Sequence, residues 1–107
     1  MDLQAFRATL ERGSTPETGE PLLEALWREA KGDWDAAHEI AQSIEGPLAA
    51  WVHAHLHRKE DDRSNAAYWY RRAPQDTSAL SLDEEWDAIS TSLLGDLGER
   101  KGRRSSK

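Results

Sequence analysis

A short pattern occurs twice in this chain and narrows the choice of folds more than any other property of the sequence. Residues 32–38 (GDWDAAH) and 61–68 (DDRSNAAY) each contain an acidic turn, then a pair of alanines, then a ring. The alanine pairs begin 30 positions apart, at Ala36 and Ala66. Each copy follows one apolar helical segment and opens another, as expected for helical hairpins that stack on each other.

Apolar residues recur at helical spacing on both sides of these turns. The i, i+3, i+4, i+7 pattern predicts one helix from Pro21, a second that Asp33 caps, and a third from about Pro47 to Lys59. A fourth helix ends before Pro74. We expect its inner face to consist of four residues: Ala66, Trp69, Tyr70 and Ala73.

Two further helices are predicted at the ends of the chain. Apolar residues before Gly13 predict a short N-terminal helix, and Ser81 with Glu84 forms a capping box at the start of the last helix, which Gly98 ends. We expect the last helix to bury Leu82, Trp86, Ile89 and Leu93. The predicted class is all-α: two stacked antiparallel helical hairpins, the short N-terminal helix and a C-terminal capping helix. A compact irregular bundle is the alternative.

Charge and length divide the chain into a body and a tail. A chain of 107 residues is expected to form one domain, here 1–98. Residues 99–107 carry five bases and one acid, a net charge of +4. Because the whole chain has a net charge of −6, the body carries −10. We predict a disordered basic tail over 99–107. An acidic body repels nucleic acid, although the tail could contact phosphates.

Residue usage also bears on the compartment. The chain has no cysteine, which excludes disulfides and thiolate metal sites. No apolar run reaches the roughly 20 residues that span a bilayer, and the first residues lack the basic and apolar regions of a signal peptide. We therefore expect a cytoplasmic protein without a membrane partner.

Residues 22–73 resemble tetratricopeptide-type and Sel1-type helical repeats. The string AAYWYRRA at 66–73 is similar to the second helix of a Sel1 repeat, in which an alanine, a Trp-Tyr pair and a basic residue precede a closing alanine. Residues 51–60 and 65–73 also resemble a group of short bacterial proteins. These resemblances imply stacked hairpins and a bacterial cytoplasmic source, and they imply no particular activity.

Three histidines alternate on the third predicted helix. His53 and His57 are four positions apart and share a face, a spacing that can bind a divalent metal if Glu60 or His38 supplies a third ligand. His55 points into the apolar stripe. Without a His-Glu-x-x-His motif, the favoured interpretation is that His55 is a hydrogen-bonded, partly buried residue and that His53 and His57 line a groove or the solvent.

The fourth predicted helix carries the second candidate surface. Tyr68, Trp69 and Tyr70 span 200° of helix, so one face cannot bury all three. With Trp69 and Tyr70 inward, Tyr68 lies outside with Arg71 and Arg72. An exposed ring beside guanidinium groups is suited to a carboxylate, a phosphate or an acidic peptide. Alternatively, Tyr68 packs on a neighbouring helix or a second subunit.

These residues favour a non-enzymatic protein–protein interaction module. Its predicted binding residues are His53, His57, Tyr68, Arg71 and Arg72, with no catalytic residue, no metal and no cofactor, and its partner is an unknown protein or acidic ligand. We expect the chain to be a monomer or a homodimer. The alternative is a small-molecule or metal-binding enzyme that uses the His53/His57 face.

Overall fold

In a computed structural model, the backbone is described for residues 1–105 and the side chains for residues 1–96. Within this part, the protein consists of six helices and no strand. In chain order, the helices are α1 (Leu3–Arg12), α2 (Pro21–Ala30), α3 (Trp34–Gln42), α4 (Pro47–Lys59), α5 (Arg63–Tyr70) and α6 (Leu82–Ser105). The predicted all-α class is confirmed.

The two sequence repeats form the same turn. Gly32 and Asp61 both adopt the left-handed conformation, with φ of 92° and 62°. The next residue in each turn donates its N–H to a carbonyl five positions back, over 2.9 and 2.8 Å. This bond is characteristic of a helix that ends in a Schellman motif. The same residues, Asp33 and Asp62, then cap the following helix through their side chains, and for Asp33 this cap was predicted.

These caps fix the spacing of the repeat at 29 positions, the distance between Asp33 and Asp62. The spacing of 30 read from the alanine pairs is therefore wrong by one. Ala37, not Ala36, corresponds to Ala66, and both Ala37 and Ala66 are buried. The small side chain is thus placed at the equivalent position of each following helix, where it lets that helix approach the preceding one.

Consecutive helices pack as pairs. α2 packs on α3, α4 packs on α5, and α3 joins the pairs by contacting α4. α6 returns along the first helix of each pair and contacts α4, α2 and α1. The rings of Phe6 and Trp86 stack with centroids 5.5 Å apart, and the indole N–H of Trp86 donates to the carbonyl of Leu26. α6 therefore covers α4 on the side opposite α5 and α3.

Helix α6 differs from its prediction at both ends. The capping box of Ser81 and Glu84 forms, with bonds of 2.9 and 3.1 Å. Leu82, predicted to be buried, is 37% exposed because it lies in the first turn, outside the packed part of the helix. The helix also continues past Gly98 to Ser105, since a glycine inside a helix costs only about 1 kcal/mol.

The tail over 99–107, predicted to be disordered and basic, has helical backbone as far as Ser105, but its side chains and residues 106–107 fall outside the described part, so the tail stays a prediction. Among the described residues, no helix combines the length and the apolar character required to cross a membrane.

Candidate functional site

Helix α4 is buried over two full turns, and this places its histidines inside the molecule. Residues 51–57 are all buried, because α2 and α6 cover one side of the helix and α3 and α5 cover the other. The alternating histidines are consequently divided between the two sides. His53 and His57 face α3 and α5, whereas His55 faces α2 and α6.

His53 and His57 join His38 of α3 in one cluster of imidazoles, which we call the three-histidine cluster. The ring centroid of His38 lies 5.0 Å from that of His53 and 5.2 Å from that of His57, and the His53 and His57 centroids are 5.9 Å apart. One nitrogen from each ring falls within 4.8 Å of the others. The cluster is therefore a candidate metal centre.

Two tryptophans enclose the three-histidine cluster. Trp34 stacks on His38 at 4.8 Å, and its indole N–H donates to the carbonyl of Leu56 over 2.7 Å. Trp34 thus holds the start of α3 against α4. On the other side, half-buried Trp69 of α5 stacks on His53 at 4.0 Å. Both rings limit the access of water to the imidazoles.

The polar atoms of this cluster are unequally satisfied. Nδ1 of His57 lies 2.8 Å from Oε1 of Glu60. Nδ1 of His53 is buried and has no hydrogen-bond partner among the described residues. Burial, followed by the proximity of His38 and His57, lowers the pKa of His53 to about 4. Burial also lowers the pKa of His38, so both rings are neutral at pH 7.

His55 forms the opposite arrangement, a buried ion-pair network with two carboxylates. Its Nδ1 lies 2.7 Å from Oε1 of Glu85, and its Nε2 lies 3.5 Å from Oε1 of Glu29. All three residues are at most 4% exposed. Burial alone would lower the pKa of His55, but the hydrogen bonds and charges of the two carboxylates outweigh it and raise that pKa.

Further groups complete the environment of the carboxylates. Lys59 lies 2.6 Å from Glu29. Glu85 accepts hydrogen bonds from Arg58, Tyr70 and Thr77; the bond from Thr77 is 2.6 Å long. Burial by itself would raise the pKa of both carboxyls, but these partners and His55 lower it below the usual value. The network joins α2, α4, α5, α6 and the loop before α6.

Tyr68, in the last turn of α5, and Arg72, just after the helix, form a pair on the surface. Tyr68 is 41% exposed, and the guanidinium carbon of Arg72 lies 3.8 Å from the centroid of its ring. Arg72 also donates to the backbone carbonyl of Tyr68 over 3.1 Å. The edge of Tyr68 contacts Trp69, which in turn stacks on His53. This exposed cation–π pair therefore adjoins the three-histidine cluster through one intervening ring.

Arg71 lies elsewhere, in an open groove of about 810 Å³ between the end of α4, α5 and the loop that leads to α6. Three arginines, two aspartates and a small apolar floor shape this groove. It is lined by Arg58, Asp61, Arg63, Ala66, Ala67, Tyr70, Arg71, Asp76, Ser78 and Leu82. Arg71 is exposed and forms no ion pair with the described residues.

The five predicted binding residues are thus not on one surface. His53 and His57 are buried, at 4% and 7% exposure, and do not line an open groove, because the rings of α3 and α5 cover them. Tyr68 is exposed with Arg72, as predicted, while Arg71 lines the groove.

The two buried carboxylates, Glu29 and Glu85, were not predicted from the sequence. Acids in the first turn of a helix are usually exposed, yet Glu85 in the first turn of α6 is fully buried. Its position predicts this outcome, because Glu85 lies four residues before Ile89 on the apolar stripe. Glu29 likewise follows Leu26 by three residues. Glu29 and Glu85 are acids on the apolar stripes of α2 and α6, and His55 lies on the apolar stripe of α4. Charged residues at these three buried positions are the signal that could have identified the network.

Neither a protein-family model, a curated protein nor a solved structure matches this chain.

Proposed function

We propose that the protein is a non-enzymatic interaction module that binds an acidic segment of a partner protein in the groove beside Arg71. In this proposal, the pairs α2–α3 and α4–α5 act as successive hairpins of tetratricopeptide or Sel1 type. Helix α6 covers the first helix of each pair, α2 and α4, on the face where it packs against them. Binding therefore takes place at the end of the second pair, where the groove opens.

The observation that carries the proposal is the unused guanidinium of Arg71 at the rim of this groove. Arg63, also at the rim, has only a long contact of 3.5 Å to Asp61, and both of these side chains are almost fully exposed. Such an exposed pair contributes little and is readily exchanged for another partner. Two guanidinium groups are thus available for carboxylates, which they can bind in a bidentate manner.

The floor and the surroundings of the groove suit a peptide. Ala66 and Ala67 leave room for a backbone, and Leu82 offers an exposed apolar contact. Arg58 at the base is already held by Glu85. Since the protein as a whole carries a net charge of −6, local complementarity rather than overall attraction would select the acidic segment.

A panel of fluorescein-labelled peptides that alternate glutamate and leucine tests this proposal by fluorescence anisotropy. We expect salt-sensitive binding that Arg71→Glu weakens by at least about tenfold, because a charge-assisted hydrogen bond contributes about 1.5–3 kcal/mol. Arg12→Glu is the matched control, since Arg12 is also an exposed arginine at the end of a helix. Equal affinities for the two variants, or the absence of binding to every acidic peptide, would reject the groove as the binding site.

A further inference from the structure

The three-histidine cluster has the donor set of a transition-metal site. Imidazole nitrogen suits zinc and the neighbouring divalent metals, whereas calcium and magnesium require oxygen ligands. Zn–N bonds are about 2.0–2.1 Å long, which places the ring centroids of two histidines on one tetrahedral ion roughly 5 Å apart. The observed centroid distances of 5.0, 5.2 and 5.9 Å are close to this spacing, and with one nitrogen of each ring within 4.8 Å of the others, rotation of the side chains would bring all three onto one ion.

The unpartnered nitrogen of His53 points to a ligand. A buried polar atom without a hydrogen bond costs about 1–3 kcal/mol, and it is seldom retained without a reason. Nδ1 of His53 is such an atom, in a side chain that is 4% exposed. Coordination of a cation would satisfy it, since a neutral imidazole nitrogen offers a lone pair to a metal as readily as to a proton.

His57 has the support that metal-binding histidines usually have. A carboxylate that bonds one ring nitrogen fixes the orientation of the ring and makes the other nitrogen a better donor. Glu60 makes this contact with Nδ1 over 2.8 Å, which leaves Nε2 for the metal. The tryptophans on both sides provide the apolar surroundings that strengthen coordination, and half-buried His38 marks the side from which an ion can enter.

We propose that His38, His53 and His57 bind one divalent cation of the zinc class. Three histidines occupy three of the four coordination positions of a tetrahedral ion. The fourth position is left for water or an external ligand on the side of His38. The site lies apart from the groove beside Arg71, and the failure of either proposal leaves the other intact.

Titration of chelator-treated protein with Co²⁺, followed by its visible absorption, and with Zn²⁺, followed by calorimetry, tests the site. We expect one equivalent of each metal to bind, with the intense absorption of tetrahedral cobalt. His38→Gln should lower the affinity by more than the 10- to 100-fold typical of losing an outer-shell partner. Because His38 is only partly buried, this variant should keep its fold, and far-ultraviolet circular dichroism checks that it does.

Asp35→Asn is the matched control, since it changes an exposed side chain of the same helix that is not a ligand. We expect it to bind cobalt as the unaltered protein does. An ion held instead by His57, Glu60 and Asp62, the other group of potential ligands, would leave the affinity of His38→Gln unchanged. That result, or the absence of stoichiometric binding by the unaltered protein, would overturn the proposal.

Discussion

The two sides of α4 bury the same type of residue in opposite chemical states. On one side, His55 lies between Glu85 and Glu29, and its pKa is raised. On the other, His53 is surrounded by rings, and its pKa falls to about 4. The two histidines are two positions apart on one helix and similarly buried. Burial alone therefore does not decide the charge of a histidine; the residues that other helices bring to it do.

The difference follows from which helices cover each side. α2 and α6 each contribute one carboxylate on an otherwise apolar stripe, so the cation of His55 is compensated. α3 and α5 contribute imidazole and indole rings, which supply no negative charge. The first side is a closed network whose groups are already satisfied. The second retains an unpartnered nitrogen and is therefore the side on which we place a ligand.

The largest expected change in stability comes from a substitution on the His55 side of α4. His55→Leu should lower the free energy of unfolding by about 3–5 kcal/mol, because it leaves two buried carboxylates without the cation between them. Urea denaturation at neutral pH measures this loss, with Asp83→Asn as a control at an exposed acid in the same turn as Glu85. A loss below about 1 kcal/mol for His55→Leu would show that the network contributes no stability.

Acid should weaken the same side. The pKa values of Glu85 and Glu29 are lowered in the folded protein, so their stabilisation is present above the unfolded value of about 4.3 and is lost as the pH falls through the folded values. For Glu85, the facing groups are His55, Arg58 and Tyr70. We expect the free energy of unfolding to decrease by about 1–3 kcal/mol from pH 5 to pH 3.

Glu85→Gln isolates the contribution of this carboxyl to the acid dependence. The variant should be less stable at pH 7 but should lose less stability on acidification, since it has no proton to take up at position 85. Urea melts at several pH values compare the two proteins. Parallel curves for the variant and the unaltered protein would mean that Glu85 has the same pKa in the folded and unfolded states.

The smallest expected effect is on the other side of α4. In chelator-treated protein, His53→Leu should change the free energy of unfolding by less than about 1.5 kcal/mol, because it removes no hydrogen bond and nearly preserves volume. The lost stacking on Trp69 is the main cost. The same melts that report on His55→Leu measure it. A loss as large as that of His55→Leu would remove the contrast between the two sides.

Local signals in the sequence predicted the helices well. Pro21 and Asp33 lie at the predicted helix starts, and α4 has its predicted bounds, Pro47–Lys59, because caps and turns depend on nearby residues. The i, i+4 spacing also indicated that His53 and His57 share a face. The spacing could not show that Trp34 and Trp69 cover that face, since these contacts depend on how α3 and α5 pack on α4.

The sequence also could not predict that Arg71 lies on a different surface from Tyr68 and Arg72. Tyr68 lies in the last turn of α5 and the two arginines directly follow the helix, whereas the groove at Arg71 also depends on residues of the loop before α6. The burial of the two carboxylates was easier to predict, because Glu29 and Glu85 lie at positions of their helices that are otherwise apolar. A charged residue at such a position is a reason to look for an opposite charge on another stripe.

The central claim, that α4 holds His55 as a cation and His53 as a neutral ring, is tested most directly by nitrogen-15 chemical shifts of the imidazoles in chelator-treated protein near pH 6. We predict that both ring nitrogens of His55 carry a proton, held by Glu85 and Glu29, while His53 shows one protonated and one bare nitrogen. A neutral His55 or a charged His53 at this pH would contradict the account.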